Sequence, residues 1–302
     1  YQLGRDMIWP RVARLYLESF QRARKDRRVA PRSAFAEWTL ASRPYDLPPL
    51  RLDHLVRMSD GTGILQHAMF SVPNFQEGYC TDDNARAYLL CNLLDELGGQ
   101  PPSESIDRLA TRYLAFLATS LNRDTGRFRN FMNYGRAWLE EAGSEDSHAR
   151  ALWALGAGAG RSRNEGHRKL ARHLFLSGLA AVGEFRSPRA WAFTLLGIHE
   201  FLGNGEGHPE AEALQERLVQ QLLGLWQGCA TATWPWFETT ASYDNARLSQ
   251  ALLLCGESMA NPEAMAIGLK SLAWLASVQR TQKDHFRPIG SKGFYSKDGV
   301  RA

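Results

Sequence analysis

Three stretches of the chain place carboxylates, a hydroxyl and an arginine within one helical turn: Thr81-Asp82-Asp83-Asn84-Ala85-Arg86, Ser144-Glu145-Asp146-Ser147-His148-Ala149-Arg150 and Ser242-Tyr243-Asp244-Asn245-Ala246-Arg247. Each reads as a helix start, with Ser or Thr as the cap, an Asp two places on and an Arg below it. Asp, Ser and Thr satisfy the free N–H groups of a helix N-terminus and complement its dipole. The Asp and Arg, three or four residues apart, are close enough for an ion pair. One such start needs no explanation beyond capping. Three in register gather like charges at one end of a helical scaffold, which is unfavourable unless something uses them.

Glycoside cleavage is one chemistry that uses them, because it needs two carboxyl groups in opposite protonation states. Asp83, Asp146 and Asp244, at helix starts beside arginines, suit a base or nucleophile. Glu238 follows Trp236-Phe237 in an aromatic loop, an apolar wall of the kind that raises a carboxyl pKa and suits the acid. Sugar rings also need aromatic faces and hydrogen-bonding side chains. Trp138, Trp234 and Trp236, with Tyr134, Phe128 and Phe237, offer the first; Gln66, His67, Arg129, Asn130, Asp82, Glu145, Arg86, Arg150 and Arg247 offer the second.

The elements that must position these residues are helix pairs. Each acidic start opens an inner helix rich in Ala and Leu, and amphipathic runs from Ser105, His167, Ala211 and Ala264 supply outer partners. A fourth start, "RSPRAWAFTLLGI" from Arg186, keeps the apolar helix and an Arg but lacks the Asp. "TGIL" and "TGRF" each end 18 residues before an Asp, counting Leu65 to Asp83 and Phe128 to Asp146. The connecting loops are long and aromatic, and long loops on a compact helical scaffold are more often functional than accidental. Period-2 runs are absent, so the expected fold is all-α, an (α/α) toroid of repeated helical hairpins. Residues 1–24 read as a separate helix, 25–51 as a linker and 52–302 as the toroid domain.

Composition narrows the partners. The 302 residues carry a net charge of +4, but residues 1–51 hold eleven Lys/Arg against five Asp/Glu, a surplus of six that leaves −2 for the rest. The main domain is not a basic nucleic-acid surface, and no apolar run is long enough to span a membrane. Cys80, Cys91, Cys229 and Cys255 lack metal-ligand spacing and read as free thiols in a reducing cytoplasm. His54, His67 and His148 define no metal site, and neither a metal nor a cofactor is expected. "GAGAG" (Gly156 to Gly160) reads as a helix C-cap and tight turn.

The blocks "LVRMSDGTGILQHAMFSVPNFQEGYCTDDNARA", "GRFRNFMNYGRAWLEEAGSEDSHARALWALG" and "TWPWFETTASYDNARLSQALL" resemble a bacterial all-helical domain. That domain is found beside or fused behind glycosyltransferases and is similar to the six-hairpin glycosidase superfamily with its (α/α)6 toroid. The likeness covers roughly residues 50–302. "GRDMIWPRVARLYLESF" is similar to the C-terminal helix of GT-B glycosyltransferases. The resemblance implies an oligosaccharide or glycan as ligand and a glycosyltransferase domain in the same polypeptide. A glycosidase-like activity is the first expectation and a sugar-binding or scaffolding module the alternative. A six-hairpin ring needs more chain than these residues provide, so the ring is expected to be incomplete here.

Overall fold

The computed structural model describes residues 9–29, 50–97, 103–203, 205 and 207–299. The chain divides into two units, Tyr1–Arg51 and Leu52–Ala302. In the first, α1 (Trp9–Val29) carries exposed Trp9, Leu15, Tyr16, Leu17 and Phe20. It continues past residue 24, so the start of the expected linker is helical. Residues 30–49 of that linker lie outside the described residues.

The second unit is helical throughout its core. After a short α2 (Asp53–Met58) come α3 (Thr81–Leu97), α4 (Ser103–Ser120), α5 (Glu145–Arg161), α6 (Glu165–Leu179), α7 (Pro188–Leu202), α8 (Pro209–Cys229), α9 (Ala246–Ser258) and α10 (Pro262–Val278). Helices α3, α5, α7 and α9 pack side by side in chain order, and α4, α6, α8 and α10 flank them, each against the inner helix it follows. Helices α3 and α9, at the ends of the inner row, keep a partly exposed side, and α5 and α7 are buried on nearly all sides, α7 continuously from Arg189 to Ile198. That explains its lack of a polar face. Local chemistry sets the starts: Ser144, Asn164, Ser187 and Asn261 cap α5, α6, α7 and α10 through their side chains. Pro188, Pro209 and Pro262 stand in the first turns of α7, α8 and α10, where a missing N–H costs nothing.

All-α is thus the fold class, with one addition. Among the described residues, four antiparallel two-residue ribbons tie the loops together: β1 (Ala68–Met69) with β2 (Val72–Pro73), β3 (Tyr79–Cys80) with β6 (Phe131–Met132), β4 (Leu121–Asn122) with β5 (Arg127–Phe128), and β7 (Thr240–Ala241) with β8 (Tyr295–Ser296). They are too short to leave a period-2 signal. No helix among the described residues is long and apolar enough to cross a membrane.

The repeated 18-residue spacing has a physical origin. Ile64 N–H donates to Asn84 Oδ1 at 3.0 Å and Phe128 N–H donates to His148 Nδ1 at 3.1 Å, each spanning 20 residues. In both helix pairs a loop amide is satisfied by a buried polar side chain in the first turn of the next inner helix. His148 Nε2 meets the Gly178 carbonyl at 2.9 Å, so the ring must be neutral with its proton on Nε2. Burial holds its pKa down at about 3, against an ordinary 6.5. A histidine that resists protonation in the fold but accepts it when unfolded costs stability as pH falls below 6.5, by up to ~1.4 kcal/mol per pH step. His148→Asn keeps an acceptor for Phe128 N–H, as Asn84 does. Its unfolding free energy is expected to fall less steeply than wild type between pH 6.5 and 4; parallel curves would show that other groups set the acid limit.

"GAGAG" is not a cap. Helix α5 continues through it to Arg161, and the glycines face other elements at van der Waals range. A Cβ on Gly156 would stand 2.1 Å from the Gly197 carbonyl, one on Gly160 2.2 Å from the Glu200 carbonyl, and one on Gly158 2.4 Å from the Tyr88 hydroxyl. Gly156 and Gly160 let α5 and α7 touch backbone to backbone, and Gly158 makes room for Tyr88 of α3.

Candidate functional site

The starts of all four inner helices meet at one end of the row, and their charged groups form one network. Arg150 is its centre. Its Nε lies 2.8 Å from Asp82 Oδ1 on α3, and its other arm is bonded to Asp244 just before α9. Asp82 also takes Arg86 at 2.7 Å. The Arg150 pairs therefore run between helix starts, whereas Asp82–Arg86 stays within α3. Of the expected pairs within one helix, Asp83–Arg86 gives way to Asp82–Arg86, Asp146–Arg150 to contacts of both residues with neighbouring helix starts, and Asp244 takes Arg150 in place of Arg247.

Asp146 and Glu145 face the following unit. Glu145 accepts from the Arg186 and Ser187 amides at 2.8 and 2.7 Å, and Asp146 accepts from the Ser187 hydroxyl at 2.7 Å and from Tyr243. The fourth helix start needs no acid of its own because α5 supplies two. Tyr243, held by burial and by Asp146, has its phenol pushed up to about 12.

Arg189 is the residue the acidic pattern does not point to. Its side chain is 4% exposed, and it donates to Glu238 at 2.6 Å, to the Tyr243 carbonyl at 2.7 Å and to Asn245 Oδ1 at 3.2 Å. The guanidinium also lies 4.7 Å from the Tyr243 ring centre. Glu238 thus sits in an ion pair and not against the apolar wall expected for a proton donor. The only sequence signal for Arg189 is the arginine retained in the fourth start.

Two further guanidiniums are stacked on aromatics. Arg150 lies 4.1 Å over Phe193, which stacks on Trp153 at 6.2 Å, and Arg247 lies 4.6 Å over Trp153. Phe193 occupies on α7 the register that arginine takes on the other inner helices. Arg247 donates to Gln250 at 2.6 Å and has no carboxylate at ion-pair distance among the described residues. Burial lowers its pKa, and Arg150 and Arg86 add to the effect against Asp244. Burial likewise raises the Asp82 carboxyl, despite Arg150 and Arg86.

Asp244 adopts a left-handed backbone at φ 45°, which Asp tolerates better than most residues. Helix α9 begins only at Ala246 with Asn245 before it, so Ser242 is not its cap. This turn opens a cavity of about 550 Å³ lined by Tyr243, Asp244, Arg247, Phe286, Ile289 and Phe294. Tyr243 and Phe286 are 48% and 75% exposed.

Asp83 points elsewhere. Its carboxylate takes the Cys80 thiol at 3.0 Å and lines a separate cavity of about 340 Å³ with His54, Leu65, Gln66 and Arg86. Gln66 donates to the Glu77 carbonyl at 3.0 Å, and His67 is exposed in the β1–β2 region. Asn130 supports the start of α3, accepting the Asp82 amide on its side chain and the Thr81 amide on its carbonyl. Arg129 pairs with Glu141 at 2.9 Å.

The aromatic candidates divide. Trp234 and Trp236 are 3% and 0% exposed and pack with Trp274, Trp234 also against Tyr295, so neither offers a ring face to a cavity. Phe237 and Phe128 are buried as well. The "TWPWF" loop is a core plug that fixes Glu238, and Trp234 Nε1 donates to the Glu238 carbonyl at 2.7 Å. Trp138 meets Phe116 edge-on at 5.5 Å, and the half-exposed Tyr134 stacks on Phe75 at 4.6 Å. No protein-family model matches the chain, and a search of curated proteins gives no match.

Proposed function

We propose that residues 52–302 are a carbohydrate-recognising domain on an (α/α) toroid-type scaffold, holding oligosaccharide where the four inner helices begin. The observation that supports this reading is the cavity before α9. It joins the polar groups of Asp244 and Arg247 to the exposed rings of Tyr243 and Phe286, the mixture of apolar wall and few oriented polar groups that a small-ligand site needs. Recognition is favoured over cleavage because Asp82, Asp244 and Glu238 are each bonded to a guanidinium. On this reading the domain serves a glycosyltransferase of the same polypeptide in the cytoplasm, where the free thiols Cys80, Cys91, Cys229 and Cys255 stay reduced.

Glycoside cleavage is the second reading. Two observations favour it: burial raises the Asp82 carboxyl, as a proton donor requires, and Asp83 faces its cavity with no arginine at ion-pair distance among the described residues. Calorimetry and product analysis with a panel of α- and β-linked gluco- and manno-oligosaccharides separate the two. Binding without turnover is expected, with Arg247→Gln weakening it about tenfold through loss of a charged hydrogen bond. Turnover that Asp83→Asn abolishes while binding persists would establish cleavage instead. No binding by any member of the panel would overturn both.

A further inference from the structure

A second cavity, of about 490 Å³, lies against the outer face of α4 and is lined by Arg108, Arg112, Arg136, Thr62, Phe116 and Met132 among others, none of them acidic. We infer that it is a binding site for a phosphate-bearing small molecule. Three arginines line one concavity, and none of them has a carboxylate at ion-pair distance among the described residues. Arg108 and Arg112 stand one turn apart on the same helix, an arrangement that is mutually repulsive without a counter-charge.

Arg136 reaches the cavity from a built turn. Its backbone is left-handed at φ 65°, its amide donates to the Asn133 carbonyl at 2.9 Å, and the Asn133 side chain accepts the Ala137 amide at 3.0 Å. Asp60 acts on Arg136 electrostatically and also accepts from the Tyr79 hydroxyl and the Thr62 and Gly63 amides. Asp60 offsets one of the three positive charges, so the cavity keeps a net positive charge.

Guanidinium forks match the geometry of phosphate oxygens, and three of them suit a group with several oxygens and more than one charge better than a carboxylate. Phe116 and Met132 give the cavity an apolar floor, and its size is that of a site for a small organic ligand. The inference is independent of the oligosaccharide reading, since none of its residues belongs to the Arg150 network.

Titration calorimetry with inorganic pyrophosphate at low ionic strength tests it. One-to-one binding is expected, weakened about tenfold by Arg112→Gln, by Arg108→Gln or by Arg136→Gln, and weakened by added salt. Arg217→Gln, an exposed arginine outside the cavity, is expected to change the affinity less than about twofold. Arg108, Arg136 and Arg217 are exposed and Arg112 is half-buried at the surface, so the variants keep the fold. Absence of binding, or equal loss in the Arg217 control, would overturn the site. Glucuronate binding as tightly as pyrophosphate would overturn its assignment to phosphate.

Discussion

Replacing Arg150 by Met is expected to destabilise the domain by about 2–4 kcal/mol at pH 8, the largest effect of any single charge change in the network. The variant removes the cation shared by Asp82 and Asp244 and leaves two partly buried carboxylates facing each other. The lower end of the range allows for the 22% and 33% exposure of those carboxylates, through which water screens part of the repulsion. Methionine retains most of the packing on Phe193, so the loss is chiefly electrostatic.

The sign of the pH dependence identifies the cause. Burial already lifts Asp82 above its ordinary 3.8, so the folded chain holds that proton more tightly than the unfolded chain does. Such a group favours folding at low pH, and its contribution is lost as pH rises from 3.8 through the lifted value. Without Arg150 the lift grows, so the deficit of Arg150→Met should be greatest at pH 8 and shrink toward pH 4.5. Melting temperatures of wild type and variant at the two pH values check this. A deficit of constant size would mean that Arg150 acts by packing on Phe193 and not by holding the two acids together.

The helix pairs were legible because their determinants are local. Apolar residues recur every three or four positions, Ser144, Asn164, Ser187 and Asn261 cap, and proline marks first turns, all within one or two turns of chain. That the acidic starts belong together could also be read, since they repeat in register. Their partners could not be. Asp82 and Asp83 are adjacent and chemically identical, and only the packing of α3 beside α5 decides that Asp82 meets Arg150 while Asp83 turns toward Cys80. The aromatic loop failed for a similar reason. Trp234, Trp236 and Phe237 have the composition of a sugar platform, but Trp226 packs on Phe237 and Trp274 and Tyr295 cover the two tryptophans, and nothing local announces these last two partners, about 40 to 60 residues away. Arg189 was visible only as an arginine kept where an acid was lost.

The run of alternating glycines gives the second large effect. In sequence, three glycines at the end of an apolar stretch look like a stop, because glycine is the usual residue beyond a helix C-terminus. The helix continues because α7 presses against it where any side chain would intrude. A Cβ at Gly156 would meet the Gly197 carbonyl at 2.1 Å, a backbone atom that cannot swing away. Gly156→Ala is therefore expected to cost about 3 kcal/mol or more, at the upper end for overpacking, even though alanine favours a helix. Gly224, in exposed α8, has nothing within 4 Å of the same atom, so Gly224→Ala should stabilise the domain by about 0.5–1 kcal/mol. Urea denaturation of both variants measures the two terms against each other. The α5–α7 contact also sets how close the starts of those helices lie. A Gly156→Ala chain that still folds should thus lose part of the Glu145 and Asp146 bonds to Ser187, seen as faster hydrogen exchange at the Ser187 amide. Stabilisation by both alanines would mean that α5 and α7 are not in backbone contact at Gly156.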